Sequence, residues 1–339
     1  MAATLKQIAE KAGVSVPTVS RILNGRETGV KVREETRQRV LAAAAELKYR
    51  PNLLARGLVG SKSSLIGVIV RDIADPFLNT VLNGMYDAAI EHQYRLFLGH
   101  VGQQADTTLD YGSMFEQSHA DGIIVMGDMQ DDAEALEVLT SQHEHVVGVT
   151  DRTGRRQFPG VYADSERGAT LAMEHLLQLG HQRIICVTDP IISDGRLRAA
   201  VYEQLMRDHG LENQVQIYKV TRSMESGYLL GQKLFAEPLL YTAIFAATDS
   251  LAIGLMKAAY EQRVTIPEGV SIIGYDDIDM ALYTTPALTT VSQSGHEMGY
   301  CTTTLLIDMI ENERDSAEVE DVLLEPMLRI RESTGTPAV

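Results

Sequence analysis

Eight points along the chain put a carboxylate, a guanidinium, a hydroxyl or an imidazole directly after a short apolar run of β-strand length. They are Asp72, His100, Asp128, Asp151 with Arg152, Asp189, Arg222, Thr248 with Asp249, and Tyr275-Asp276-Asp277. In open α/β sheets ligands bind beyond the carboxyl ends of the strands, so residues so placed can converge on one polar cleft. Any one of these aspartates is most simply a helix N-cap; their recurrence is what points to a cleft. Carboxylates and a planar guanidinium pair with vicinal hydroxyls, and an aromatic face covers the C–H face of a sugar ring. Arg152 and Arg222 leave two readings open, an anionic ligand such as a sugar acid or sugar phosphate, or plain surface arginines. A second group lies near the N-terminus, where Val16, Pro17, Thr18, Ser20, Arg21 and Asn24 face wholly or partly outward from a short helix and can meet base edges and phosphates. Catalytic motifs are missing: there is no GxSxG, HExxH, Walker loop, or GxGxxG between strand and helix. His143-Glu144-His145 reads as an exposed loop rather than a metal site, so no catalytic residue, cofactor or metal is expected.

These groups sit in segments of opposite charge. The chain has 339 residues and a net charge of -16, yet residues 1–62 hold twelve Lys/Arg and five Asp/Glu, a net +7 that leaves -23 for the rest. A basic head on an acidic body suggests a polyanion-binding module, or, more blandly, a solvated basic surface. With 45% hydrophobic and 22% charged residues the chain is expected to fold as two or three packed units. Cys186 and Cys301 cannot form a disulfide scaffold or a zinc site and read as buried thiols of a reducing compartment. No apolar leader or membrane-spanning run is apparent.

Thr4-Leu5-Lys6-Gln7 has the form of a capping box and opens a helix whose Leu5, Ile8, Ala9 and Ala12 share a face. Gly13 permits a tight turn, Val14 enters the core, and Ser15 caps a second helix that tolerates Pro17 in its first turn, with Val19, Ile22 and Leu23 facing inward. A third helix is expected from about Arg33 to Lys48, with Glu34 and Glu35 at its positive end and Val40, Leu41, Ala44 and Leu47 as its apolar stripe. Tyr49 to Leu58 is then a helix of scarcely two turns, marginal unless supported. Small helical bundles also cap enzymes, and the segments that follow the headpiece decide between the two.

The order of Gly-Val-Ser-x-x-Thr-Val-Ser-Arg (residues 13–21), Glu-Thr-Arg (35–37), Tyr-Arg-Pro-Asn (49–52) and Ala-Arg-x-Leu (55–58) closely resembles the lactose-repressor/galactose-repressor (LacI/GalR) family of bacterial transcription regulators. The likeness continues through residues 72–77, 120–124, 179–181, 247–254, 273–277 and 286–291. It implies a helix-turn-helix headpiece (1–50), a hinge helix and linker (51–62), and an effector-binding and dimerisation core (63–339). By resemblance the DNA-contacting residues are Thr4, Ser15, Val16, Pro17, Thr18, Ser20, Arg21, Asn24, Tyr49, Asn52, Ala55 and Leu58, the last being the leucine that paired hinges push into the minor groove. The effector residues are Asp72, Phe77, Asp151, Arg198, Arg222, Thr248, Asp249 and Asp276. Within that set Phe77 supplies an apolar face, Asp151 and Asp276 accept ligand hydroxyls, and Arg198 donates. The chain departs from the pattern in the longer connection Gly29-Val30-Lys31-Val32-Arg33 and in Thr248 and Val201, where relatives carry Asn and Gly. It also departs at Gly57, which costs a helical hinge roughly 1 kcal/mol against Ala.

From Leu65 onward strand-length runs alternate with amphipathic helical stretches, which implies two doubly wound, mostly parallel sheets of periplasmic-binding-protein type. The series breaks near Val161 to Ser165, and Val322 to Thr334 reads as one strand with a short tail. The subdomains are expected at about 63–162 with 293–322, and 163–292 with 323–334. The expected function is sequence-specific, repressing DNA binding by a cytoplasmic, nucleoid-associated homodimer that reads palindromic operator DNA and is switched by a small effector, a sugar or sugar derivative. The other effector classes are a sugar acid, a sugar phosphate or a nucleobase. The competing class is a cytoplasmic sugar-handling enzyme or binding protein whose helical head is unused for DNA; the headpiece with its hinge favours the regulator.

Overall fold

Helix α1 (Leu5–Ala12) begins where Thr4 and Gln7 satisfy each other's free groups: the Gln7 amide donates to Thr4 Oγ1 at 3.4 Å and the Thr4 amide to Gln7 Oε1 at 2.9 Å. Gly13, at φ +66°, ends it and donates back to the Ala9 carbonyl, a left-handed cap that glycine adopts without Cβ strain. In α2 (Val16–Leu23) the Thr18 amide donates to Ser15 Oγ at 3.4 Å. With α3 (Glu34–Glu46) these helices enclose a small core of Ile8, Ala9, Ala12, Val19, Val40, Ala43 and Ala44. Leu41, expected in the α3 stripe, is 40% exposed, and Ala43 takes its place. Spacings of three and four from Val40 reach residues 43, 44 and 47, whereas residue 41 is rotated about 100° away.

The structure, a computed structural model, describes residues 4–23, 32–47, 49, 62–101, 114–115, 119–127, 133–149 and 158–338. The expected hinge helix and Asn24, Asn52, Ala55, Leu58, Asp128, Asp151 and Arg152 lie outside them. Residues 1–63 and 64–339 form two separate units.

The larger unit is built on two six-stranded sheets. In chain order, β1 is Leu65–Val70, β2 Arg95–His100, β3 Gly122–Met126, β4 Val146–Val149, β5 Gly160–Ala163, β6 Ile184–Thr188, β7 Ile217–Lys219, β8 Ala243–Ala246, β9 Ser271–Asp276, β10 Thr289–Ser292, β11 Val322–Leu324 and β12 Met327–Arg329. The helices between them are α4 (Pro76–Glu91), α5 (Ala133–Gln142), α6 (Ser165–Gln178), α7 (Ser193–Asp208), α8 (Met224–Leu234), α9 (Asp249–Glu261), α10 (Asp279–Leu282) and α11 (Gly295–Asn312). The first sheet runs β11-β5-β4-β3-β1-β2 and is parallel throughout. The second runs β12-β10-β9-β8-β6-β7, parallel except where β12 meets β10. Strands β1, β3, β4, β6, β8 and β9 are buried almost throughout, the continuous apolar run of a parallel sheet covered on both faces.

Four expectations need correction. Residues 161–163, at the expected break in the alternation, belong to β5, a fully buried strand between β4 and β11. The C-terminal segment is two strands rather than one: β11 joins the first sheet and β12 the second, parted at Glu325-Pro326, where proline has no amide to continue a ladder. The expected crossings at 162/163 and 322/323 therefore come too early, since Ala163 pairs with Leu324 in the first sheet. The 143–145 loop is also less exposed than expected: His143 is buried, and Nε2 of His145 is buried without a hydrogen-bond partner.

Helix α11 follows a strand of the second sheet yet packs on α4 of the first, at backbone contact distance. A Cβ built on Gly84 would lie 1.9 Å from the His296 carbonyl oxygen, and one on Gly299 1.9 Å from that of Val81. Gly84→Ala and Gly299→Ala must each push the helices apart. We expect each to cost about 1–3 kcal/mol, as overpacking does. Urea unfolding followed by far-UV circular dichroism measures it, and an unchanged midpoint in either variant would show that the helix pair has slack.

Candidate effector cleft and DNA-reading helix

A cavity of about 470 Å³ opens at the carboxyl ends of both sheets. The first sheet supplies the turn after β1, with Arg71, Asp72, Asp75 and Phe77. The second supplies Asp189 after β6, Ser193, Asp194 and Arg198 from α7, Arg222 after β7, Thr248 after β8, Asp276 ending β9 and Gln293 after β10.

Arg198 is the buried centre of the second-sheet wall, with 3% of its surface exposed. Its Nη1 donates to the Ala247 carbonyl at 2.7 Å and lies 3.5 Å from Asp276 Oδ1, while Nη2 is 3.4 Å from Asp194 Oδ2. The guanidinium carbon sits 3.5 Å from the centroid of the Tyr275 ring, a cation–π contact that fixes its plane. Nε is buried and has no hydrogen-bond partner. Asp276 adopts φ +117° and accepts from Gln293 Nε2 at 2.7 Å. Burial pushes its carboxyl well above the usual carboxylate range, against the pull of Arg198.

Across the cavity Asp75 caps α4, accepting the Phe77 amide at 3.0 Å, so the cap also presents the Phe77 ring to the cavity. The other Asp75 oxygen is 2.7 Å from Nη1 of Arg222, whose Nη2 is 3.5 Å from Asp72 Oδ2. Burial raises the Asp75 carboxyl and Arg222 draws it back down. Asp189 Oδ2 holds the Arg222 backbone amide at 2.8 Å. An ion pair thus joins the loop after β7 in one sheet to the turn after β1 in the other.

The cavity brings together Asp72, Phe77, Arg198, Arg222, Thr248 and Asp276 from the sequence reading. Thr248 also caps α9, accepting the Leu251 amide at 3.3 Å. Asp249 is a correction: it is 0% exposed, does not line the cavity, and accepts from Thr290 Oγ1 at 2.5 Å and the Ile278 amide at 2.9 Å. It faces the inside of α9 and ties β10 to the turn before α10. Asp277 turns away to Arg331, and His100 is exposed and outside the cavity. Asp75, Asp194 and Gln293 also line the cavity, from outside the strand-end pattern of the sequence. Asp75 precedes a proline at a helix start and so reads as a cap alone; Asp194 lies six residues past the end of β6, and Gln293, though directly after β10, is an uncharged amide outside the residue types of the strand-end pattern. Among the described residues no cluster of His, Cys, Asp or Glu can hold a metal, and no helix is long and apolar enough to cross a membrane.

On the headpiece Ser15, Val16 and Pro17 are exposed, and Thr18, Ser20, Arg21 and Tyr49 half-buried. Arg21 Nε is screened from solvent with no hydrogen-bond partner. Thr4 is exposed, its hydroxyl engaged in the capping box.

A helix-turn-helix unit and a two-sheet body with a polar cleft, carried on one chain, define a regulator that couples DNA reading to ligand sensing. Residues 4–52 match the model for bacterial regulatory proteins of the lacI family, and residues 173–334 that of a periplasmic binding protein-like domain. The chain is 30% identical to catabolite control protein A of Streptococcus mutans, over 98% of each chain. It is 33% identical to the ribose operon repressor of Bacillus subtilis, over 92% of this chain and 93% of that one. Among solved structures it resembles the lac repressor dimer bound to operator and the anti-inducer ONPF, with a TM-score of 0.87 and 27% identity over 99% of this chain and 100% of that one. The chain belongs to the LacI family of bacterial transcriptional regulators.

Proposed function

We propose that the protein is a transcriptional repressor that reads a palindromic operator as a homodimer and changes its operator affinity when a small carbohydrate occupies the cleft. The carrying observation is the buried Arg198 guanidinium, held flat on Tyr275 between two carboxylates with Nε still unpaired. The guanidinium offers donors, and the two carboxylates offer acceptors, to neighbouring hydroxyls at fixed angles. One headpiece reads a half-site, so the twofold partner follows from the palindromic logic of the motif. The effector shifts the DNA-binding population by its differential affinity for two states of the core, and by reciprocity DNA changes effector affinity by the same factor. No catalytic step enters this reading, and its site of action is the nucleoid in the cytoplasm. It is tested by retarding fragments that carry candidate operators from the protein's own upstream region, with and without a carbohydrate panel. Retention on no fragment, or retention that no carbohydrate changes, would refute it.

The DNA-reading assignment is tested by Arg21→Ala. A good bidentate base contact is worth about 1–3 kcal/mol, so the variant should lose roughly tenfold or more on the operator and far less on a scrambled fragment. Equal loss on both would make Arg21 a phosphate contact instead.

A further inference from the structure

Three arginines line one cavity, Arg71, Arg198 and Arg222, which suggests an anion site, yet neither Arg198 nor Arg222 carries uncommitted charge. Arg198 lies between Asp194 and Asp276, and Arg222 between Asp75 and Asp72. Among the described lining residues there are five carboxylates and three guanidiniums. A phosphate or carboxylate that reached Arg222 would come within a few ångströms of Asp75 and Asp72, or would have to displace Asp75. Asp75 is 8% exposed and its second oxygen is already held by the Phe77 amide, so displacement strands a buried charge. A hydroxyl meets no such penalty, since it donates to carboxylate lone pairs and accepts from the guanidinium N–H groups that remain. We infer that the cleft takes uncharged polyols and rejects sugar acids and sugar phosphates, and that Asp75, by neutralising Arg222, is the residue that sets this choice. The inference rests on the cleft being the effector site and deepens that reading.

The probe that needs no knowledge of the natural effector is inorganic phosphate. Full-length protein is unfolded thermally in increasing phosphate, against sodium chloride at matched ionic strength. The wild type is expected to respond equally to both salts. Asp75→Asn, which keeps the cap acceptor and removes the charge, is expected to gain a saturable phosphate-specific stabilisation, with affinity at least about tenfold above the wild type. Adding Arg222→Gln should abolish the gain. Should Asp75→Asn fail to fold by circular dichroism, Asp72→Asn, at the more exposed second carboxylate, is expected to show a smaller gain of the same sign. Glucose with glucose 6-phosphate and gluconate, and ribose with ribose 5-phosphate, extend the test to matched ligands. Phosphate-specific stabilisation of the wild type that Arg222→Gln removes would overturn the inference, as would a sugar phosphate binding the wild type more tightly than its parent sugar. A folded Asp75→Asn variant indistinguishable from wild type in phosphate would overturn the role of Asp75. Failure of the effector reading is seen separately, as operator retention that ignores every ligand and every cavity variant.

Discussion

Asp276→Asn is expected to silence the effector response while effector-free protein still retains its operator. Asn preserves the side-chain volume and an oxygen for Gln293 Nε2, but loses the charge opposite Arg198 and part of the acceptor set offered to the ligand. Truncating one partner of a buried, hydrogen-bonded charge pair costs about 2–5 kcal/mol in binding, a loss of effector affinity of roughly thirtyfold to several thousandfold. Arg198→Ala should silence the response too, with a second effect that separates the two variants. It strands Asp194 and Asp276, the Ala247 carbonyl and the Tyr275 ring around an empty volume, so folding stability should fall by about 3–5 kcal/mol. Asp276→Asn should lose less stability than Arg198→Ala, because Asn keeps the side-chain volume and the oxygen for Gln293 and leaves Arg198 its Asp194 and Ala247 partners. Operator retardation with and without effector, beside denaturant unfolding of the same preparations, gives both readouts. Operator binding lost in a folded, dimeric Asp276→Asn variant would contradict the separation of sensing from reading.

The second large effect concerns Asp249, whose carboxyl burial lifts from 3.8 to about 7. Between those values the folded protein binds a proton that the unfolded chain has released, so this residue's contribution to stability declines as pH rises from about 4 to about 7, then levels off. Asn at this position can donate to Thr290 Oγ1 and accept from the Ile278 amide without ever ionising. Asp249→Asn should therefore match the wild type near pH 4 and exceed it above pH 7 by up to about 4 kcal/mol, since each tenfold change in proton affinity is worth about 1.4 kcal/mol. Urea unfolding of both proteins at pH 5 and pH 8 measures the difference. Parallel stability curves would show that Asp249 ionises in the folded protein at no cost.

Local chemistry was readable directly from residue order. The Thr4–Gln7 capping box, Gly13 at the turn, and the alternation of strand and helix are encoded within a few residues, by hydrogen-bonding groups three apart, by short continuous apolar runs and by an apolar period of 3.6. The convergence of Asp72, Arg222, Thr248 and Asp276 was readable too, because parallel topology sends every strand end to the same side. The resemblance supplied Phe77 and Arg198, which periodicity alone did not single out. The tertiary structure decided which of these charges meet. Asp75 and Arg222 pair from different sheets, and Asp249 finds Thr290 on a strand three elements later. Each pairing depends on the packing of whole elements, and an aspartate at a helix start is written identically whether it faces the cavity, as Asp75 does, or the buried underside of its own helix, as Asp249 does. The division of the last strand region had the same origin: Val322 to Thr334 reads as one strand with a short tail, and only the two sheet edges it joins, with Pro326 between them, make it two strands.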